Sequence, residues 1–163
     1  AMRAYAQMIE AAIEDMTDPF DRLAGAMVAA VRIAEIRGSG VDRGLARLRL
    51  KLSEVQPEMV GNAQAAVTVL VRDLVGEAAA AGKIRPIDPE EATFLLLSLN
   101  AAYITAGTLG NDAGVRRPDQ ATMVSLCLRG LGAELDEGWF ESISSRLRLP
   151  AKRRSKAAAS ERR

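Results

Sequence analysis

Between Glu91 and Asp112 the chain carries no charged side chain. A helix drawn from this stretch is apolar nearly all round, so it cannot lie at a surface with one side in water. It must be covered on more than one side, by protein or by lipid. Thr93, Ser98, Asn100, Thr105 and Thr108 lower its hydrophobicity, and no companion segment of similar character exists to share a bilayer. Burial between the chain's own core and a second subunit therefore explains the stretch better than a membrane span, and no membrane association is expected.

The rest of the chain supplies punctuation for helices and none for strands. Pro19, Pro57, Pro89 and Pro118 can each occupy a first helical turn, where the missing N–H removes no hydrogen bond. Asp18 and Asp88 precede two of them as N-caps, Asp88 with Glu91 resembles a capping box, and Asp136 is a further cap candidate. Gly38, Gly40, Gly82, Gly110 and Gly114 give the complementary stops. The pattern predicts helices over 2–16, 18–37, 41–54, 57–82, 89–109 and 118–134, with a short segment over 136–147. Met59, Ala63, Val67, Leu70, Val71, Leu74 and Ala78 make one stripe, and Phe20, Leu23, Met27, Val31 and Ala34 a broader one. The expected fold is all-α, an antiparallel bundle of about six helices. At 163 residues with 4% aromatics, the chain suits helix-on-helix packing better than a sheet.

Composition also removes function classes. The chain has no histidine and one cysteine, Cys127. Disulfide frameworks, thiolate metal clusters and the familiar hydrolytic triads are thereby excluded, and no metal, cofactor or catalytic residue is expected. Cys127, mid-helix between leucines, reads as a small buried hydrophobe rather than a redox sensor. Six basic residues of 151–163 against Glu161 give +5, leaving −4 for the rest of a chain whose net charge is +1. The mildly acidic body is a poor surface for nucleic acid. The tail, 148–163, is read as unstructured, with contact to DNA phosphates as its functional alternative. Nothing resembles a secretory signal, and a cytoplasmic location is expected.

Two short connections stand out: Gly-Lys-Ile-Arg-Pro-Ile-Asp-Pro-Glu over 82–90 and Leu-Arg-Gly-Leu-Gly-Ala over 128–133. With the helix order around them, they resemble the C-terminal, ligand-sensing and dimerising domain of TetR-family transcriptional regulators, over roughly residues 1–147. The family's N-terminal helix-turn-helix is missing from the sequence. Met2 to Met16 then corresponds to the helix joining the DNA-binding head to the sensor body. DNA would be contacted only through a head outside this sequence.

The resemblance implies a homodimer in which helices 89–109 and 118–134 pair with their two-fold mates as a four-helix bundle. Ala102, Ala106 and Gly130 would permit close approach, and Leu95, Leu99, Met123, Leu126 and Leu131 would supply apolar contact. The alternative is that these residues close an internal core. The resemblance also implies a pocket among helices 18–37, 41–54, 57–82 and 89–109, lined by Met8, Met27, Met59, Phe94, Leu97, Tyr103 and Ile104. Each of these also fits plain core. Methionines adapt to irregular apolar ligands, so the implied effector is small and apolar or amphipathic. Asn100, an amide on an uncharged helix, must find partners or face a polar cavity, and Tyr103 shares its face. Both also fit contacts to a neighbouring helix or across the dimer. Gln64 and Arg72 are lesser candidates. A helical interaction module without a pocket is the competing function. An enzyme would need carboxylates such as Glu54, Glu58 or Glu77 to converge.

Overall fold

One helix is enclosed by the others. The computed structural model describes residues 2–37, 57–109 and 116–150, so the helix expected over 41–54 and the tail from 151 lie outside the described residues. Within them are six helices and no strand: α1 (Met2–Ala12), α2 (Pro19–Arg37), α3 (Pro57–Ala80), α4 (Pro89–Leu109), α5 (Gln120–Gly130) and α6 (Trp139–Arg146). The fold is all-α. Helix α2 packs against all five of the others, while α3 also meets α1 and α4.

The reason lies in α2's own residues. From Leu23 to Val31 every position is buried, on every side of the helix. Five of these nine positions are Ala or Gly (Ala24, Gly25, Ala26, Ala29, Ala30), which let neighbouring backbones approach from several directions. Leu23, Met27, Val28 and Val31 fill the space between. A Cβ on Gly25 would stand 3.1 Å from Ile13 Cγ2 and 2.7 Å from Met16 Sδ. The turn after α1 therefore sits directly on this glycine. Ile9, Ile13 and Met16 reach the core from there, and Val67, Leu70, Val71, Leu74, Val75 and Ala78 reach it from α3.

Local chemistry sets the boundaries. Pro19, Pro57 and Pro89 are each the first residue of their helix. Asp18 Oδ1 accepts from the backbone N–H of Phe20 (2.9 Å) and Asp21 (3.1 Å), and Asp88 Oδ1 accepts from that of Glu90 (2.8 Å). Pro118 instead lies one residue before the cap of α5: Asp119 takes that place, accepting from Thr122 N–H at 2.7 Å. Helix α6 begins at Trp139 rather than at 136, because Gly138 has φ +78° and cannot be helical. Helix α1 ends at Ala12 and tightens into i→i+3 bonds, Ile13 N–H to Glu10 O and Met16 N–H to Ile13 O.

The two connections that carry the family resemblance prove to be the same device, and they touch. After α3, Gly82 (φ +67°) donates to Ala79 O, and Lys83 donates to Ala78 O. After α5, Gly132 (φ +82°) donates to Arg129 O, and Ala133 donates to Leu128 O. Both pairs of bonds close a helix end on a left-handed glycine. Arg85 N–H then donates to Leu131 O at 2.9 Å, and a Cβ on Gly132 would meet Arg85 Cβ at 3.1 Å. The ends of α3 and α5 are thereby fixed side by side.

Polar ties hold the outer helices to α2. Gln120 Nε2 donates to the Val28 carbonyl (2.8 Å), and Arg32 donates to Gln120 Oε1 and to Ser144 Oγ while lying over the Phe140 ring. Tyr5 donates to the Ala30 carbonyl from α1. At the start of α2, Asp18 pairs with Lys83 (3.0 Å) and Asp21 with Arg146 (2.7 Å). The Lys83 ammonium holds the Asp18 carboxyl below its ordinary value of 3.8, aided by the backbone N–H groups of Asp21 and Phe20.

Two stability predictions follow. Gly25→Val places branched carbon against Ile13 and Met16, and should lower the unfolding free energy in urea by about 2 kcal/mol. An unchanged midpoint would mean that α1 does not seat on Gly25. Asp18→Asn keeps an N-cap acceptor but loses the carboxylate. Because the folded-state pKa of Asp18 is depressed, its contribution is present above pH 3.8 and is lost as pH falls through the lower folded value. The stability gap between wild type and Asp18→Asn should therefore be widest near neutrality and narrow below about pH 4.

Candidate functional site

Helix α4 has two sides with different fates. Ala92, Thr93, Leu96, Asn100 and Tyr103 are buried and recur at helical spacing, so they form one stripe facing α2 and α3. Leu97 and Ile104 flank it, half-buried against the core. Thr93 and Asn100 are the buried polar side chains among the described residues, 3% and 5% exposed. Neither Thr93 Oγ1 nor Asn100 Oδ1 has a hydrogen-bond partner among the described residues. An unpaired buried polar atom typically costs about 1–3 kcal/mol, so two on one stripe call for an explanation.

The C-terminal end of the stripe is closed by an arginine. The Arg117 guanidinium lies over the Tyr103 ring, 3.7 Å from its centroid, and its Nη2 reaches Glu35 Oε1 on α2 at 3.5 Å. Tyr103 donates its hydroxyl proton to the Pro118 carbonyl at 3.2 Å. Burial pushes the Tyr103 phenol above its ordinary value, while the Arg117 charge acts in the opposite direction. Gly107, one turn beyond Tyr103, makes the room: a Cβ there would stand 2.8 Å from Arg117 Cζ. Tyr103 is thus already engaged on its face and at its hydroxyl. It ties α4 to the segment entering α5.

The other side of α4 is apolar and open to solvent. Phe94 is 70% exposed, and Leu95 and Leu99 are about half exposed. Ala102 is exposed beside them and Ala106 is half-buried. On α5, Leu126 is 68% exposed and Gly130 has nothing near its Cβ position. Single exposed leucines are ordinary, but four of the five large apolar residues exposed in the described chain lie on α4 and α5.

The candidate residues therefore divide. The structure groups Leu97, Asn100, Tyr103 and Ile104 around the inward side of α4, and sends Phe94 to the outward side with Leu95 and Leu99. Met27 is deep in α2 and Met8 is half-buried on α1. Met59 falls in the first turns of α3, and its side chain lies outside the described residues. Met123 and Leu131 are buried within the chain's own core. Gln64 and Arg72 are half-buried on α3, and Arg72 lies 3.6 Å from its neighbour Asp73.

Sequence reasoning passed over Thr93 as a polar contact and Arg117 altogether. The first had a signal, since it shares a face with Asn100 two turns away. The second had none, because the contact spans the connection between two helices.

Elsewhere the chemistry is quiet. Cys127 is buried, its Sγ 3.8 Å from Met123 Sδ, and burial raises its thiol pKa. Among the described residues no group of three or more Asp, Glu or Cys is placed to hold a metal. A surface cleft of about 770 Å³ runs between the start of α2 and α6, over Phe20, Trp139 and Ile143, and is crossed by the Asp18–Lys83 and Asp21–Arg146 pairs. No helix among the described residues is long and apolar enough to cross a membrane. No family model matches the chain, and no curated protein or solved structure shows detectable similarity to it.

The Arg117 clasp makes a double-mutant prediction. Gly107→Ala alone gains helix propensity but displaces the guanidinium, so its effect on stability should be near zero or negative. In an Arg117→Ala background the same change should stabilise by about 0.5–1 kcal/mol. Equal effects in both backgrounds would remove Arg117 from its place over Gly107.

Proposed function

We propose that this chain is the effector-binding and dimerising domain of a TetR-type transcriptional regulator. It senses a small apolar or amphipathic ligand and controls DNA binding through a helix-turn-helix carried outside this sequence. The observation that carries the reading is the double character of α4. Its inner stripe buries two polar atoms without partners among the described residues, and its outer side leaves Phe94, Leu95 and Leu99 to solvent. A helix with ligand on one side and a second subunit on the other accounts for both. The helix order and the paired connections at 82–90 and 128–133 support the same family resemblance. The mildly acidic body agrees with DNA being read elsewhere.

In this reading, α4 and α5 of one subunit meet their mates across a two-fold axis. Leu95, Leu99 and Leu126 supply the apolar contact, and Ala102, Ala106 and Gly130 the close approach. Met123 and Leu131 support that face from inside. Occupancy of the inner side shifts α4 against α2 and α1. A ligand acts only to the extent that it binds one arrangement better than the other.

Native mass spectrometry and light scattering should give twice the chain mass. Leu95→Asp with Leu126→Glu should convert the dimer to a folded, helical monomer at micromolar concentration, since both positions are exposed in the single chain. A wild-type monomer that takes up no apolar compound would refute the reading. Capture of a heterologous partner by a ligand-free monomer would favour an interaction module instead.

A further inference from the structure

The two unpartnered oxygens on α4 have a chemistry that restricts what the interior can bind. Thr93 and Asn100 are seven residues apart, which puts them on the same line of the helix about 10 Å from each other. Both are more than nine-tenths buried, and both present an oxygen with no hydrogen-bond partner among the described residues. Leu96 lies between them and Leu97 beside them, so the surface joining the two polar points is apolar.

Among the described residues, charge reaches this surface only at its Tyr103 end. The described residues that α2 and α3 bury in the core are all apolar or glycine. The cation beside the stripe is Arg117, which covers the Tyr103 ring and is neutralised by Glu35, although its Nε is buried with no hydrogen-bond partner among the described residues. A carboxylate or ammonium drawn onto the stripe would lose its hydration beside a cation and an anion that already neutralise each other.

We propose, resting on the sensor reading above, that the inner stripe of α4 selects an elongated, uncharged molecule bearing hydroxyl groups on an apolar frame. Asn100 Oδ1 accepts from one hydroxyl and Thr93 Oγ1 bonds a second. A hydroxyl suits both positions because it donates and accepts, and so also satisfies the Asn100 amide if its two ends are exchanged. Leu96, Leu97 and Ile104 contact the frame. Discrimination comes from the polar pair, since an apolar wall alone separates such ligands weakly.

The test uses three probes on the full chain: octanediol with a hydroxyl at each end, octanol, and octanoate, with binding read by calorimetry and by native mass spectrometry. Octanediol should bind at least about tenfold more tightly than octanoate. Thr93→Val and Asn100→Leu should each weaken octanediol about tenfold. Thr93→Val nearly preserves shape, so it should also raise the melting temperature of the ligand-free protein by a few degrees, roughly 2–4 °C.

Octanoate binding as tightly as octanediol overturns the proposal, as does octanediol affinity unmoved by both variants. A melting temperature lowered by Thr93→Val overturns it as well, because the hydroxyl would then be satisfied within the protein. If the three probes bind alike to a dimer, only the hydroxyl selectivity falls. If none binds and the chain is monomeric, the sensor reading falls with it.

Discussion

Everything in this fold is arranged around the requirement that α2 be enclosed. Nine consecutive residues, Leu23 to Val31, are buried, so no single partner could satisfy the helix. An amphipathic helix buries one stripe and leaves the rest wet; α2 has no wet side over more than two turns. Five neighbouring helices are therefore recruited, and the small residues at 24–26, 29 and 30 set how closely they can come. The polar ties obey the same geometry. Gln120 and Tyr5 each donate to carbonyls of α2, at Val28 and Ala30, whose helical bonds leave a second lone pair free. The charged pairs stand at the rim, where they set register more than they add stability.

Helix α4 poses the same demand and receives a different answer. It too lacks charge through its body, but within one chain only its inner stripe is covered. The contrast identifies what a run of uncharged residues does and does not say. Such a run requires cover on several sides. Which molecule supplies the cover depends on how many other helices have apolar stripes left to give. Helix α2 packs against all five of the other described helices, whereas α4 packs chiefly on α2 and α3 and keeps one side in solvent.

This competition explains which features were legible in the sequence. Helix starts at Pro19, Pro57 and Pro89 are local events, set by a proline and, at two of them, the aspartate before it, and could be read directly. The glycine endings at 82 and 132 are equally local. The boundary errors were local as well: Asp119 captures the cap that Pro118 would have bordered, and Gly138 delays α6. What could not be read was non-local. The stripe of α2 looked merely broad, because enclosure is a property of the neighbours. Arg32, Gln120 and Arg117 act through hydrogen-bond partners 82 to 112 residues away, Arg117 also across a connection onto Tyr103, and no periodicity marks them. Asn100 was legible as a burial problem, and its Oδ1 has no hydrogen-bond partner among the described residues.

The two sides of α4 cannot respond independently. A helix is stiff along its axis, so a displacement felt at Thr93 or Asn100 moves Leu95 and Leu99 with it. The far end is not free to absorb the motion, because Arg117 and Tyr103 fasten it to the entry of α5 and to Glu35 on α2. The near end is pinned through Asp88 and the Arg85–Leu131 bond to the end of α5. A change on the inner stripe is therefore passed to α5 from both ends of α4. Helix α5 carries Leu126, a further large apolar side chain left in water. In the proposed reading, this connectivity would make occupancy inside the chain and the geometry of its exposed apolar surface two readings of one mechanical variable.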